Sequence, residues 1–248
     1  MKKPKVVATI EARMTSRRLP GKILKPILGK PSLEREIERL KRCKSIDQIV
    51  VATTSNPTDD PVEQLCRASG VAFYRGSEDD VLLRVLQAAQ SVGADVITEI
   101  TGDCPLLEPA VIDACNELYQ TGKFDYVSNF IQRSWPRGIN AQIFSVALLD
   151  EVNRLTSAQQ DHEHVSLYIY SHPEKYRLGN LAAPADLTWP DLRLTLDTPE
   201  DYALIQKIYE AILPVKPEFT LPDILAYLRK HPDLVEINRQ VQATRIQK

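Results

Sequence analysis

The sequence lacks any strong excess of charge: 31 lysines and arginines stand against 33 aspartates and glutamates, a formal net charge of -2 over 248 residues. No global basic field argues for nucleic acid or an anionic membrane, so an anionic ligand must be captured by a local cluster. Cysteine is sparse. Cys43, Cys66, Cys104 and Cys115 show no CxxC spacing and are too few to staple a chain of this length, so they read as free thiols. Long hydrophobic runs are missing too: after Met1-Lys2-Lys3-Pro4-Lys5 only a short strand-like stretch precedes Arg13, too little for a signal peptide or a membrane span. A cytoplasmic protein with no membrane and no nucleic-acid partner is expected. There is no internal repeat, low-complexity tract or Gly/Ser linker. A hydrophobic content of 43% supports one substantial core. A single domain over residues 1–248 is expected, with a helical extension from about 214 to 248.

What is present is an alternation of strand and helix signals. Val6-Val7-Ala8-Thr9-Ile10, Ile49-Val50-Val51-Ala52-Thr53 and Val96-Ile97-Thr98-Glu99-Ile100 are short apolar runs rich in β-branched residues, the pattern of strands covered on both faces. Between the first two, Leu33, Ile37 and Leu40 fall at helical spacing behind Ser32, a candidate N-cap. Val81, Leu82, Val85, Leu86 and Ala89 form a second stripe. Strand, helix, strand, helix predicts an α/β fold with a parallel sheet. Further on, helices are predicted from Val146 to Leu155 and from Gln159 to Ser171, and a strand at Leu192-Arg193-Leu194-Thr195-Leu196. Thr198-Pro199-Glu200-Asp201 then supplies an N-cap, a first-turn proline and an acid at the third helical position.

The chemistry-bearing residues cluster where predicted strands end. Ala12-Arg13-Met14-Thr15-Ser16-Arg17-Arg18-Leu19-Pro20-Gly21-Lys22 follows the first strand and holds four basic side chains. That edge is where open α/β sheets bind ligands. Arg13 and Arg18 offer forked donors, Lys22 a point charge and Gly21 a close backbone approach, so the loop fits a triphosphate better than it fits a merely solvated surface. Thr101-Gly102-Asp103-Cys104-Pro105-Leu106 follows the third strand and places Asp103 as a magnesium ligand, with a turn aspartate as the bland reading. Asp197, before the capped helix, offers a second acid if its strand lies beside the third, whereas Asp201 suits the cap. Arg75-Gly76-Ser77 is a weak candidate for base or ribose contact. In Asp161-His162-Glu163-His164 the two histidines point to different sides of a helix and would not share a zinc. That leaves a charged face or, for Glu163 and His164, an acceptor contact.

In this order the motifs resemble the cytidylyltransferase-like enzymes that include CMP-sialic acid and CMP-KDO synthetases, and most closely the spore coat polysaccharide biosynthesis protein F group. The resemblance spans residues 6 to about 205. It rests on Ala12-Arg13-Met14, Ser16, Arg18-Leu19-Pro20-Gly21-Lys22, Arg75-Gly76-Ser77 with Asp80-Val81-Leu82 and Arg84, Thr101-Gly102-Asp103-Cys104-Pro105-Leu106, Glu163-His164-Val165, and residues 194–201. It implies a Rossmann-like α/β/α glycosyltransferase-A-type nucleotidyltransferase fold with a mostly parallel central sheet, a homodimer, triphosphate on the first loop, and Mg2+ on Asp103 and Asp197. Two departures stand out. Related chains tend to carry acids in a Gly-Leu-Asp-Val-Glu stretch where this one has Gly138-Ile139-Asn140-Ala141-Gln142, and a basic residue in place of Glu99. Asn140 and Gln142, in the acceptor region, forfeit charge-assisted bonds to a cation, so amino-sugar acceptors are disfavoured.

The reaction expected is attack by an oxygen of a sugar acid or sugar phosphate on the α-phosphorus of CTP, with pyrophosphate leaving and no evident general base. A guanylyltransferase acting on an amino-sugar phosphate is the nearest alternative. A glycosyltransferase would more usually show an Asp-x-Asp pair on one loop. A catalytically silent nucleotide-binding homologue would not need to keep both acids and the whole basic loop.

Overall fold

In the computed structural model, residues 3–241 are described; Met1, Lys2 and residues 242–248, the end of the expected C-terminal extension, lie outside the described residues. The chain runs through β1 (Val6–Glu11), a short ribbon of β2 (Pro26–Ile27) and β3 (Lys30–Pro31), α1 (Ser32–Leu40), β4 (Gln48–Thr54), α2 (Asp60–Ala68), β5 (Ala72–Gly76), α3 (Val81–Ser91) and β6 (Val96–Thr101). It continues through α4 (Pro109–Gln120), β7 (Tyr126–Ser128), β8 (Gln142–Ser145), α5 (Val146–Leu155), α6 (Gln159–Glu163), α7 (Leu167–Ser171) and β9 (Leu178–Asn180). It ends in α8 (Pro199–Ile212), α9 (Leu221–Lys230) and α10 (Pro232–Val235).

Seven strands form one sheet in the order β5-β4-β1-β6-β8-β7-β9. The first four are mutually parallel, β8 runs antiparallel to both β6 and β7, and β9 is parallel to β7. The expected mostly parallel α/β architecture is therefore observed. Both faces are covered, since the strands turn apolar residues toward each side rather than toward one alone. Val6, Ala8 and Ile10 face a layer with Leu33, Ile37, Val111, Leu204 and Ile208. Val7 and Ile97 face the other, with Val81, Leu82, Val85, Leu149 and Val152.

Three local expectations are corrected. Helix α1 begins at Ser32 itself, with Pro31 at the N-cap position, and the buried Ser32 hydroxyl has no hydrogen-bond partner. The predicted helix from Gln159 to Ser171 is two helices, broken at residues 164–166, where Val165 is buried at a φ of 45°. A β-branched residue in that left-handed region cannot continue a helix. Residues 192–196 form no strand: a single bridge pairs Arg193 with Arg137, while Leu192, Leu194 and Leu196 are buried. The segment is held by backbone bonds from Leu194 N to Arg137 O (2.8 Å) and from Leu196 N to Asp103 O (2.8 Å). It thus reaches the end of β6 without joining the sheet. The capping box at Thr198 and Asp201 is present as expected and starts α8, a device worth about 1 kcal/mol.

Candidate active site

The loop after β1 is shaped before any ligand arrives. Met14 N donates to Asp59 Oδ1 at 2.8 Å, and Gly21 N donates to Met14 O at 2.9 Å, closing the loop with Gly21 at a φ of 68°. Asp59 is fully buried, and its other oxygen accepts from Thr53 Oγ1, Thr54 N and Thr54 Oγ1. This anchor gives no signal in the sequence beyond an aspartate after a proline. Ala12 is buried at the start of the loop, Ser16 is half-buried on it and Arg18 is exposed.

Lys22 leaves the end of this loop and points between the two nominated acids. Its Nζ lies 2.8 Å from Asp103 Oδ2 and 2.8 Å from Asp197 Oδ1. Arg18 Nη2 reaches the same Asp197 oxygen at 2.9 Å, and Arg193 Nη2 reaches Asp197 Oδ2 at 2.7 Å. Burial opposes charge on both Lys22 and Asp103, yet their mutual attraction outweighs it. The Lys22 pKa is raised, and the Asp103 carboxyl is held down at about 2, helped by a bond from Thr101 Oγ1 at 2.7 Å. Asp201 is fully buried beneath them, accepting from Arg193 Nε at 2.8 Å and from Asn238 Nδ2 at 2.8 Å. It braces Arg193, and through it Asp197, in keeping with a structural role.

The pair Asp103 and Asp197 suits a hard divalent cation, since both offer carboxylate oxygens to one positive charge. Among the described residues no group of three or more His, Cys, Asp and Glu gathers to hold a metal ion. An ion here would complete its shell with water and substrate oxygens.

The other nominated residues divide. Arg13 joins the rim, with Nη1 3.3 Å from Glu78 O and 3.8 Å from Glu78 Oε1. Arg75 does not: its guanidinium is occupied by Thr54 O (2.8 Å), Asn56 O (2.8 Å), Asp60 (2.7 Å) and Glu63 (3.0 Å), where it ties β5 to α2. Ser77 accepts from Asp80 N at 3.1 Å, within the turn that precedes α3. Glu163 is exposed on α6, whereas His164 lies close enough to Glu11 for its charge to favour the Glu11 carboxylate. Gln142 accepts from Tyr126 OH at 2.7 Å and from Ser166 Oγ. Asn140 Oδ1 is buried with no hydrogen-bond partner.

The sequence singles out Glu99 only as a departure from the chains it resembles, and it gives no sign of Glu11 or Glu36. Glu11 and Glu99 face one another from neighbouring strands, and burial raises the pKa of each, that of Glu99 well above the usual carboxyl range. Glu36, fully buried on α1, accepts from Cys104 N at 3.3 Å behind Asp103; burial, then the Asp103 charge, push its pKa well up. An acid inside an otherwise apolar strand run was the available signal for Glu99.

This arrangement is that of a nucleotidyltransferase: a basic loop after the first strand, with two carboxylates from distant segments converging on its last lysine. The chain belongs to the cytidylyltransferase family, whose profile matches residues 7–233. It is 33% identical over 235 residues to the spore coat polysaccharide biosynthesis protein SpsF of Bacillus subtilis, covering 92% of this chain and 95% of that one. It is 38% identical over 110 residues to 3-deoxy-manno-octulosonate cytidylyltransferase of Geobacter sulfurreducens, 44% of this chain and 42% of that one. A solved cytidylyltransferase from Leptospira borgpetersenii superposes with a TM-score of 0.89 at 32% identity, over 98% of this chain and all of that one. CMP:2-keto-3-deoxy-manno-octonic acid synthetase complexed with CTP superposes with a TM-score of 0.63 at 20% identity, over 83% of this chain and 98% of that one, a likeness of fold. No helix among the described residues is long and apolar enough to cross a membrane.

Proposed function

We propose that this protein transfers the cytidylyl group of CTP to an oxygen of a sugar acid or sugar phosphate, releasing pyrophosphate. The observation that carries the reading is the meeting of Asp103 and Asp197 at Lys22, each carboxylate 2.8 Å from the ammonium at the end of the basic loop. CTP is favoured as donor by membership of the cytidylyltransferase family. A sugar-type acceptor is favoured by the likeness to 3-deoxy-manno-octulosonate cytidylyltransferase and to a polysaccharide biosynthesis protein.

Asp103 and Asp197 would hold Mg2+, which when bound neutralises charge on the reacting phosphate. The protein's own share is positioning. Arg18 is exposed and, among the described residues, fastened to Asp197 alone, so it is free to turn its forked donors to the β- and γ-phosphates, while Lys22, held between Asp103 and Asp197, would supply its point charge from there. Both then offset the charge gathering on the departing pyrophosphate. Pyrophosphate release, measured with each of four nucleoside triphosphates against a panel of sugar acids and sugar phosphates, tests the reading. Release with CTP and at least one acceptor is expected; release with no combination, or with GTP alone, overturns it.

A further inference from the structure

The loop between β7 and β8 carries two arginines that the basic loop after β1 does not explain. It leaves the carboxyl end of β7 and returns to β8, the neighbour of β6, so it stands at the edge of the sheet that carries Asp103. It is rigidly tied down. Asn129 bonds both sides of its mouth, Nδ2 to Ile139 O at 2.6 Å and Oδ1 from Ala141 N at 3.0 Å. Trp135 Nε1 donates to Leu181 O at 2.8 Å, and Gln132 N donates to Asn180 Oδ1 at 3.0 Å. Arg137 is bonded through its backbone to Leu192 O at 2.9 Å and from Leu194 N at 2.8 Å, on the segment that ends in Asp197. Gly138, at a φ of 92°, lies so close that a Cβ there would come within 2.6 Å of Leu194 C, which fixes the loop against that segment.

On this frame Arg133 and Arg137 stand without acidic partners; neither makes an ion pair among the described residues. Arg133 Nη1 is buried and has no hydrogen-bond partner. Its guanidinium lies 5.9 Å from the Phe130 ring centroid. Burial, and then the like charge of Arg137, depress its pKa. A buried guanidinium donor facing another cation is costly unless an anion joins them. Most of the other arginines near the site are met by carboxylates or backbone carbonyls.

We infer that Arg133 and Arg137 form the acceptor's anion-binding site, taking an oxyanion, carboxylate or phosphate, on the sugar to be cytidylylated. The inference rests on the proposed cytidylyl transfer and adds the acceptor's charge and the side chains that read it. The triphosphate is assigned to Arg13, Arg18 and Lys22 on the loop after β1, while the β7–β8 loop, which carries Asn140 and leads into Gln142, lies on the other side of β6. Forked guanidinium donors match the planar or tetrahedral oxygens of either anion.

The test is NMR of the arginine Nε–H signals in the full chain saturated with CTP, so that the triphosphate loop is filled. Three probes are titrated: glucose, glucuronate and glucose 6-phosphate, which share a ring and differ in charge. Saturable shifts of the Arg133 and Arg137 signals with glucuronate or glucose 6-phosphate, and none with glucose, are expected. The tighter of the two anions says whether a sugar acid or a sugar phosphate is read. Arg133→Gln should weaken that anion about tenfold or more, Arg133→Lys should recover part of the loss, and CTP affinity should hold within about twofold. Shifts equal for all three probes, no saturable shift with either anion, or anion binding unchanged in the Arg133→Gln, Arg137→Gln double variant overturns the inference. Pyrophosphate release reads the proposed function separately. Anion-selective shifts without release for any acceptor leave the anion site standing and sink cytidylyl transfer, whereas release undiminished in the double variant does the reverse.

Discussion

Glu99 on β6 and Gln142 on β8 are directly opposed across the antiparallel register. These are two of the positions at which the chain departs from the chains it resembles, which tend to carry a base at the first and an acid at the second. The two departures therefore meet in one cross-strand pair. Here the acid sits on β6, its pKa pushed well up by burial and then by Glu11, and Gln142 receives Tyr126 and Ser166 instead of a cation. Glu99→Arg alone should bury an unpaired cation, and Gln142→Glu alone should add a third acid beside Glu11 and Glu99. The double variant should lose less stability than the sum of the singles, with a coupling of about 0.5–3 kcal/mol in urea unfolding. Additive losses would mean that the two side chains do not sense one another.

Asp103→Ala and Asp197→Ala should each lower kcat by about 100-fold or more, the scale of several kcal/mol of lost transition-state stabilisation. Chelation of divalent metal should silence the wild type, and added Mg2+ should restore it. Wild-type rates in both variants at saturating Mg2+ would remove the two acids from the metal site.

Lys22→Met should combine two losses. Turnover falls because a triphosphate contact is gone, and the fold loses about 1–3 kcal/mol because Asp103 is left with a desolvated, unmatched charge. Adding Asp103→Asn to Lys22→Met should return much of the stability and none of the activity. Thermal unfolding and pyrophosphate release together separate the two effects. Stability that stays down in the double variant would show that Lys22 supports the fold through something other than Asp103.

Arg18→Ala should weaken CTP about tenfold more than CMP, because its guanidinium is assigned to phosphates that CMP lacks. Equal losses in calorimetry would move Arg18 to the α-phosphate, ribose or base.

The legible parts of the sequence were those whose physics is local. The apolar runs ending at Ile10, Thr53 and Ile100 announced buried parallel strands, and the helix predicted from Val146 to Leu155 is α5 to the residue. Residues 192–196 show where a pattern misleads: alternating leucines report burial on one side, which Leu192, Leu194 and Leu196 do have, but not the ladder partners that make a strand. In the site, Arg18, Lys22, Asp103 and Asp197 were found because each follows a strand or precedes a helix, where open sheets gather their chemistry. Arg75, near the end of β5, lies at the same edge of the sheet. Nothing in its spacing signals that α2 places Asp60 and Glu63 against it. The acids at Glu11 and Glu36 stayed hidden, and Glu99 showed only as a departure, because their meaning lies in burial and in neighbours distant along the chain.

His162 supplies the last prediction, a dependence of stability on pH. Its Nδ1 lies 2.8 Å from Asp80 Oδ1 and its Nε2 lies 2.9 Å from Thr156 O, so both ring nitrogens face oxygen acceptors, an arrangement satisfied only by the doubly protonated ring. Burial lowers the pKa, but Thr156 O, Asp80 and then the charge of Asp161 outweigh it, and the net shift is upward. A raised folded-state pKa means that the protonated ring binds more tightly in the folded than in the unfolded chain. The contact therefore contributes fully below the ordinary histidine pKa, near 6.5, and its contribution is lost as pH rises through the folded value. It ties α6 to the start of α3, so its loss should loosen the helix pair that flanks His164. Urea midpoints for wild type and His162→Gln, measured from pH 5.5 to pH 8.5, should show a wild-type advantage at the acid end that shrinks toward the alkaline end. A difference that is constant across that range would mean that folding leaves the His162 pKa unshifted, and an advantage that shrinks toward the acid end would mean that the folded ring is held neutral.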